Sequence, residues 1–295
     1  MANSINTNYG ANIALQNLNA TNRALETTQN RINTGKAVNS AKDNGAIWSI
    51  AQNQTTQMNA LDAVKQSLQR GQSTIDVAMA AGETVKDVLG QMKNLVLAAS
   101  DPGVDTASRT AYKDDFENLA KQIETTIKGA SFNGVNMLAE VSDAGVIDST
   151  KTGKSLKALA SADGKNTIDV AGVNFALGGA SAITVVSSDF ATANVTTDTA
   201  RVTAMGTLMG KIDASITYVT SSLTKLGTGS KSLDNQLTFT SKLQDTLETG
   251  IGNLVDADLA KESAKLTALQ TKQQLGVQAL SIANSSSSVL LSLFR

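Results

Sequence analysis

Residues 47–99 read IWSIAQNQTTQMNALDAVKQSLQRGQSTIDVAMAAGETVKDVLGQMKNLVLAA, and the spacing of their apolar positions decides the fold. A seven-residue step from Ile47 lands on Gln54, Leu61, Leu68, Ile75, Gly82, Leu89 and Val96; its companion runs Ile50, Gln57, Val64, Gly71, Ala78, Val85, Met92 and Ala99. Rows three and four residues apart share one helix face, and rows repeating every seven residues make a coiled-coil seam. A helix from about Lys42 to Ala99 is expected, on the order of 85 Å long at 1.5 Å per residue. Asp101-Pro102-Gly103 ends it, because proline has no amide hydrogen and disfavours helix in the residue before it.

A second helix follows after a short connection, with Tyr112, Phe116, Leu119, Ile123 and Ile127 on one face, and should fold back along the first. The far half of the chain repeats the pattern. Val202, Met209, Ile216, Leu223, Ser230, Leu237, Gln244 and Ile251 form one row, and Met205, Ile212, Val219, Leu226, Leu233, Thr240, Leu247 and Leu254 the other. Gly227 and Gly229 interrupt it, each costing about 1 kcal/mol relative to alanine, so a kink or fraying is expected there.

The ends of the chain carry weaker rows: Ala11, Leu18, Leu25 and Ile32, then Leu259, Leu266, Gln273 and Leu280 with Leu269 and Ala283 beside them. Thirteen asparagines in the first 60 residues compete for backbone hydrogen bonds. Both segments can form helices, yet they bury too little to fold alone and need a partner surface.

Between the halves the pattern changes. Val173, Phe175 and Leu177 alternate with Asn174 and Ala176, Ile183 and Val185 lie in a β-branched run, and Asn133-Gly134 and Asp163-Gly164 are hairpin-turn pairs. Glu140 and six aspartates through Asp198 face four lysines, a net charge of −3. An acidic β-hairpin insertion facing solvent is expected. The fold class is therefore mainly α, a long antiparallel coiled-coil bundle drawn from both chain halves. The expected divisions are residues 1–42 with 256–295, a terminal helical pair; residues 43–140 with 194–255, a long-helix rod; and residues 141–193, the small exposed insertion.

Composition removes most chemistry. The 295 residues contain no histidine and no cysteine, hence no imidazole base, thiol nucleophile or disulfide. No catalytic, cofactor-binding or metal site is expected, and the chain does not read as an enzyme. Twenty-five basic against 26 acidic side chains argue against nucleic acid or a charged membrane surface as partner. The first ten residues have no basic and apolar secretory leader, and no apolar run approaches the ~20 residues a membrane helix needs. Three short motifs have ordinary readings. Gly153-Lys154-Ser155 would need glycine where Asp148 stands, so a turn is the better reading than a phosphate loop. Gly227-Thr228-Gly229 follows a helix instead of a strand, and Asp256-Ala257-Asp258 reads as acids at a helix start. Trp48, beside the Ile47 seam, reads as packing.

Several stretches nonetheless resemble a family. Ile5-Asn6-Thr7-Asn8, Arg31-Ile32-Asn33-Thr34-Gly35-Lys36 running into Asn39-Ser40-Ala41-Lys42-Asp43-Asn44-Gly45-Ala46, and Phe132-Asn133-Gly134-Val135-Asn136-Met137-Leu138 resemble the N-terminal half of bacterial flagellins. Val255-Asp256-Ala257-Asp258-Leu259-Ala260-Lys261-Glu262 and Leu291-Ser292-Leu293-Phe294-Arg295 resemble their C-terminal half, although Phe294 stands where leucine is usual. The resemblance covers about the first 140 and last 95 residues, and the middle is too short for large outer domains.

The resemblance implies the structural subunit of the helical filament used for swimming, exported without a cleaved signal peptide and secreted to the extracellular flagellum. Its implied partners are itself, alone or with paralogous flagellins, an export chaperone, the filament cap and the hook–filament junction proteins. Ala11, Leu18, Leu25, Ile32, Leu259, Leu266, Leu269, Leu280, Leu293 and Phe294 are the expected polymerisation interface. A hook–filament junction protein, or an unrelated coiled-coil scaffold, is the alternative. Many flagellins bind the animal Toll-like receptor for flagellin through a Leu-Gln-Arg-Val-Arg-Glu-Leu patch. Here the match is Leu89-Gly90-Gln91-Met92-Lys93-Asn94-Leu95, with Gln91, Lys93 and Asn94 in place of Arg, Arg and Glu, so weak receptor binding is expected.

Overall fold

A computed structural model describes residues 8–142, 145–178, 183–193 and 198–292. The elements in order are α1 (Tyr9–Thr34), α2 (Ala41–Ala99), α3 (Thr106–Gly129), β1 (Ser131–Phe132), β2 (Val135–Asn136), β3 (Glu140–Val141), β4 (Ile147–Asp148), β5 (Leu156–Leu159), β6 (Thr167–Val170), α4 (Asp189–Ala193), α5 (Asp198–Val255) and α6 (Leu259–Ser292). Among the described residues the strands pair with their neighbours, as three antiparallel two-stranded ladders. The chain divides into two compact units, Met1–Met58 with Asp245–Arg295, and Asn59–Gln244. The long helices, the antiparallel packing and the small strand pairs are those read from the sequence.

In the unit of residues 59–244, the α2 seam is buried from Leu61 to Ala99, with Leu68, Ile75, Leu89, Met92 and Val96 essentially inaccessible. Helix α3 adds Phe116, Ala120, Ile123 and Ile127. Asp105 starts this helix by accepting the Ser108 amide at 2.6 Å, which holds its carboxyl below the usual aspartate range. On α5 the buried row is Met205, Ile212, Val219, Leu226 and Leu233, as expected. Its companion differs from the sequence reading: Leu208, Ser215 and Ser222 are buried, while Val202 is exposed and Met209, Ile216 and Leu223 lie at the flank. Ser215 is accommodated because its hydroxyl donates to the Lys211 carbonyl and accepts the Thr184 amide, so no polar atom is left without a partner.

The expectation of a solvent-facing insertion does not hold for its inner face. Leu156, Val170, Val173, Phe175, Ile183, Val185 and Phe190 are buried in the same core as α2 and α5. Phe190 packs on Phe116 with ring centroids 5.4 Å apart, and Phe175 meets Tyr218 edge-on at 6.2 Å. The alternating stretch at 173–177 is not a ladder strand. It is extended backbone bonded to the 137–138 segment, with Val173 N donating to the Met137 carbonyl and Phe175 N to the Leu138 carbonyl. The two turn pairs appear where the sequence puts them. Asn133 and Gly134 both take positive φ, 50° and 76°, between β1 and β2, and Gly164 at 71° lies between β5 and β6.

Nor is there a kink at Gly227 and Gly229, because α5 runs without a break from Asp198 to Val255. A β-carbon on Gly229 would lie 2.6 Å from Val170 Cγ1, and one on Gly71 of α2 would lie 3.2 Å from Leu156 Cδ2. The two glycines let the β5–β6 hairpin lie close against both long helices. Ser67 Oγ accepts the Leu159 amide and Gln236 Nε2 donates to the Ala160 carbonyl, fixing the hairpin from either side.

Candidate assembly interface

Within the unit formed by residues 8–58 and 245–292, α1 and α6 pack as an antiparallel pair. Asn8 starts α1 by accepting the Ala11 amide at 3.0 Å, and Gly35 ends it in the left-handed conformation. Asp258 starts α6 by accepting the amides of Ala260 and Lys261, as its place before an apolar row suggests. Three side-chain contacts set the register. Asn8 Nδ2 donates to the Ala283 carbonyl at 2.7 Å, Gln273 Nε2 to Asn22 Oδ1 at 2.8 Å, and Arg31 Nη1 meets Glu262 Oε1 at 3.1 Å.

The sequence-derived interface residues fall mainly along this pair's own seam. Ala11, Leu18, Leu25 and Ile32 of α1 and Leu266, Leu269 and Leu280 of α6 are half-buried, and Leu18 fills the space left by Gly276. Leu259 is exposed, and Leu293 and Phe294 lie outside the described residues. The second row of the α1 seam is small or polar: Ala14, Thr21, Thr28 and Gly35, with both threonines buried. Sequence reading missed that row because threonine carries no hydrophobic signal. It also missed the apolar side chains that face outward, Tyr9, Ile13 and Leu15 on α1 and Leu275, Val277 and Ile282 on α6. Leu275 and Ile282 keep 60% and 69% of their surface in water.

The break between α1 and α2 is built from named side chains. Asn44 is the one non-helical residue inside α2, and its Oδ1 accepts the Ile47 amide, so it caps the long helix. Asp43 accepts the Asn39 and Ser40 amides and the Ser40 hydroxyl, bonds that hold its carboxyl below the usual range, the Ser40 amide contributing most.

The receptor-patch equivalents lie on α2 within the other unit. Leu89 is fully buried, Leu95 half-buried, and Gln91 and Asn94 exposed. Lys93 Nζ is held 2.6 Å from Asp213 of α5. The remaining motifs are structural. A β-carbon on Gly153 would sit 2.2 Å from the Met137 carbonyl carbon, so that glycine permits backbone to cross backbone. Trp48 is exposed on α2 rather than packed in the seam.

Residues 5–143 match the model of the bacterial flagellin N-terminal helical region, and residues 209–294 match that of the bacterial flagellin C-terminal helical region. The chain belongs to the bacterial flagellins. Flagellin FljK of Caulobacter vibrioides is 54% identical over 99% of both chains, and a flagellin of Brucella melitensis is 36% identical over the same shares. The crystal structure of Bacillus cereus flagellin overlaps 59% of this chain and 88% of that one, at TM-score 0.45 and 17% identity. This flagellin is a structural subunit that polymerises into the extracellular helical filament used for swimming. Neither the junction protein nor an unrelated scaffold is favoured by these matches.

Proposed function

We propose that the α1–α6 pair is the part of this flagellin that meets neighbouring copies and forms the inner core of the filament. In this reading residues 1–42 with 256–295 build the inner core, residues 43–140 with 194–255 form the rod, and residues 141–193 dress the rod. The observation that supports it is the outward apolar set, Tyr9, Ile13, Leu15, Leu275, Val277 and Ile282, on a pair whose inner seam is partly polar. Burying such side chains against a second copy contributes about 1.5–3 kcal/mol each, enough together to offset the ~4–15 kcal/mol entropic cost of association. A helical polymer needs contacts that do not close on themselves, and repeated outward faces on two helices allow that. Seeded growth of a chain trimmed to residues 45–250 tests the assignment. On the same reading the chain passes to an export chaperone, leaves the cell without a cleaved signal peptide, and joins the growing end beneath the cap, above the junction proteins.

The altered patch supports a second proposal, weak binding to the animal Toll-like receptor for flagellin. Gln91 and Asn94 offer no charge, and Lys93 lacks the planar fork of arginine and is engaged by Asp213. Loss of charge-paired contacts lowers affinity by more than about tenfold. In a reporter-cell assay, half-maximal signalling should need at least about ten times more of this protein than of a flagellin carrying the intact patch. Gln91→Arg with Asn94→Glu should raise the response. Equal potency without the substitutions would overturn the proposal.

A further inference from the structure

The two breaks in the terminal unit, 35–40 between α1 and α2 and 256–258 between α5 and α6, are more than 200 residues apart in the chain, and they are bonded to each other. Ala37 N donates to the Val255 carbonyl at 2.7 Å, Val38 N to the same oxygen at 3.2 Å, and Ala257 N to the Gly35 carbonyl at 2.9 Å. These bonds make Lys36 and Asp256 an antiparallel bridge. Just beyond it, the Arg31–Glu262 ion pair joins the last turn of α1 to the first turn of α6, with Glu262 buried to about nine-tenths. Lys265 of the same helix lies 3.8 Å from the other Glu262 oxygen, so opening the breaks leaves this nearly buried carboxylate with one long contact in place of two, and costs three amide bonds as well.

We propose that the two breaks are one coupled joint, in which neither connector holds its geometry unless the other does. Each connector has its own local lock: Asp43 on the Asn39 and Ser40 amides at the first, Asp258 on the Ala260 and Lys261 amides at the second. Among the described residues the bridge and the ion pair join them, and Arg31 of that pair also favours the charged form of Asp43. The consequence for a polymerising subunit is coincidence detection. A chain with one end engaged and the other free lacks the joint, so α1 and α6 acquire their directions together. This inference rests on the terminal pair being a folded unit in the assembled subunit, and not on which of its residues touch neighbours.

Coupling of this kind is reciprocal, since each lock must bias the other by the same factor. The test perturbs one connector and reads the other, by hydrogen exchange on filaments seeded from intact full-length chains. Asp258→Ala should speed exchange of the Asn39 and Ser40 amides by at least about fivefold, and Asp43→Ala should speed that of Ala260 and Lys261 by the same factor. Exchange changed less than about twofold at the far connector, with the near one opened, would mean two independent breaks and overturn the joint. Should the alanine variants fail to assemble, Asp258→Asn and Asp43→Asn weaken the locks less and carry the same readout. The swap Arg31→Glu with Glu262→Arg should return exchange at Ala37 and Ala257 toward wild type from the faster values of either single change. A swap no slower than the singles would also contradict the proposal.

Discussion

A chain trimmed to roughly residues 45–250 should not add to flagellar seeds at any concentration at which the intact chain does. Trimming removes α1 and α6 whole, and with them every outward apolar side chain of the terminal pair, from Tyr9 to Ile282. It leaves the helical core of residues 59–244 in place, including Leu68, Ile75, Phe116 and Val219. A folded but assembly-dead product is therefore expected, with circular dichroism still strongly helical and electron microscopy empty of filaments. The effect is total because assembly free energy is a small surplus over a large entropic cost, and removing several buried leucine equivalents per contact erases that surplus. Growth of the trimmed chain at a rate comparable with the intact one would show that the rod alone polymerises.

The second large effect runs against the sequence reading of the insertion. An acidic, solvent-facing segment without a heptad would be replaceable at 141–193 by a short Gly/Ser loop with filaments intact. The structure instead makes Phe175, Ile183, Val185 and Phe190 fully inaccessible against α2, α3 and α5. Each such side chain stabilises by about 1.5–3 kcal/mol when buried, and four or more together rival the whole ~5–15 kcal/mol of a typical domain. Excision also strips Phe116 of its Phe190 partner and Tyr218 of Phe175. The excised chain should lose its cooperative thermal transition or melt tens of degrees lower. A melting point within a few degrees of the intact protein would mean that the insertion's buried face contributes little. Changes confined to the exposed β5–β6 turn, at Asp163 or Lys165, should cost almost nothing by comparison.

The difference between these two outcomes marks what the sequence could and could not disclose. Heptad rows are legible because leucine, isoleucine and valine at three- and four-residue spacing have one physical use, and the α2 row from Leu61 to Ala99 is buried almost without exception. The insertion packs by a different route. Outside the β5–β6 ladder its backbone is irregular, bonded in pieces to the 137–138 segment, so the residues buried there follow no sustained period. Ser215, Ser222, Thr21 and Thr28 were invisible for a related reason, since a small hydroxyl can occupy a seam wherever two helices approach closely. Gly229 was read as a weakness of the helix, when its missing side chain is the space that Val170 needs.

The packing of the terminal pair is half legible in the sequence. The rows Ala11 to Ile32 and Leu266 to Leu280 mark the terminal helices correctly, yet their place is between α1 and α6. In α6 apolar residues occur on more than one face, so a single heptad row cannot say which face stays inside the subunit. Register comes instead from polar pins, Asn22 with Gln273 and Arg31 with Glu262, whose partners lie more than 200 residues away. No local pattern in either segment announces them.

The absence of cysteine from this chain makes the most direct test clean. Single cysteines placed by Ile282→Cys, in the outward face of α6, and by Lys165→Cys, at the β5–β6 turn, can be labelled with a maleimide in the free subunit and in the filament. If the terminal pair forms the inner core, the thiol at 282 should react readily in the free chain and at least about a hundred times more slowly in the filament, while the thiol at 165 reacts at nearly the same rate in both. A thiol at 282 that labels as fast in the filament as in the free chain would contradict the assignment.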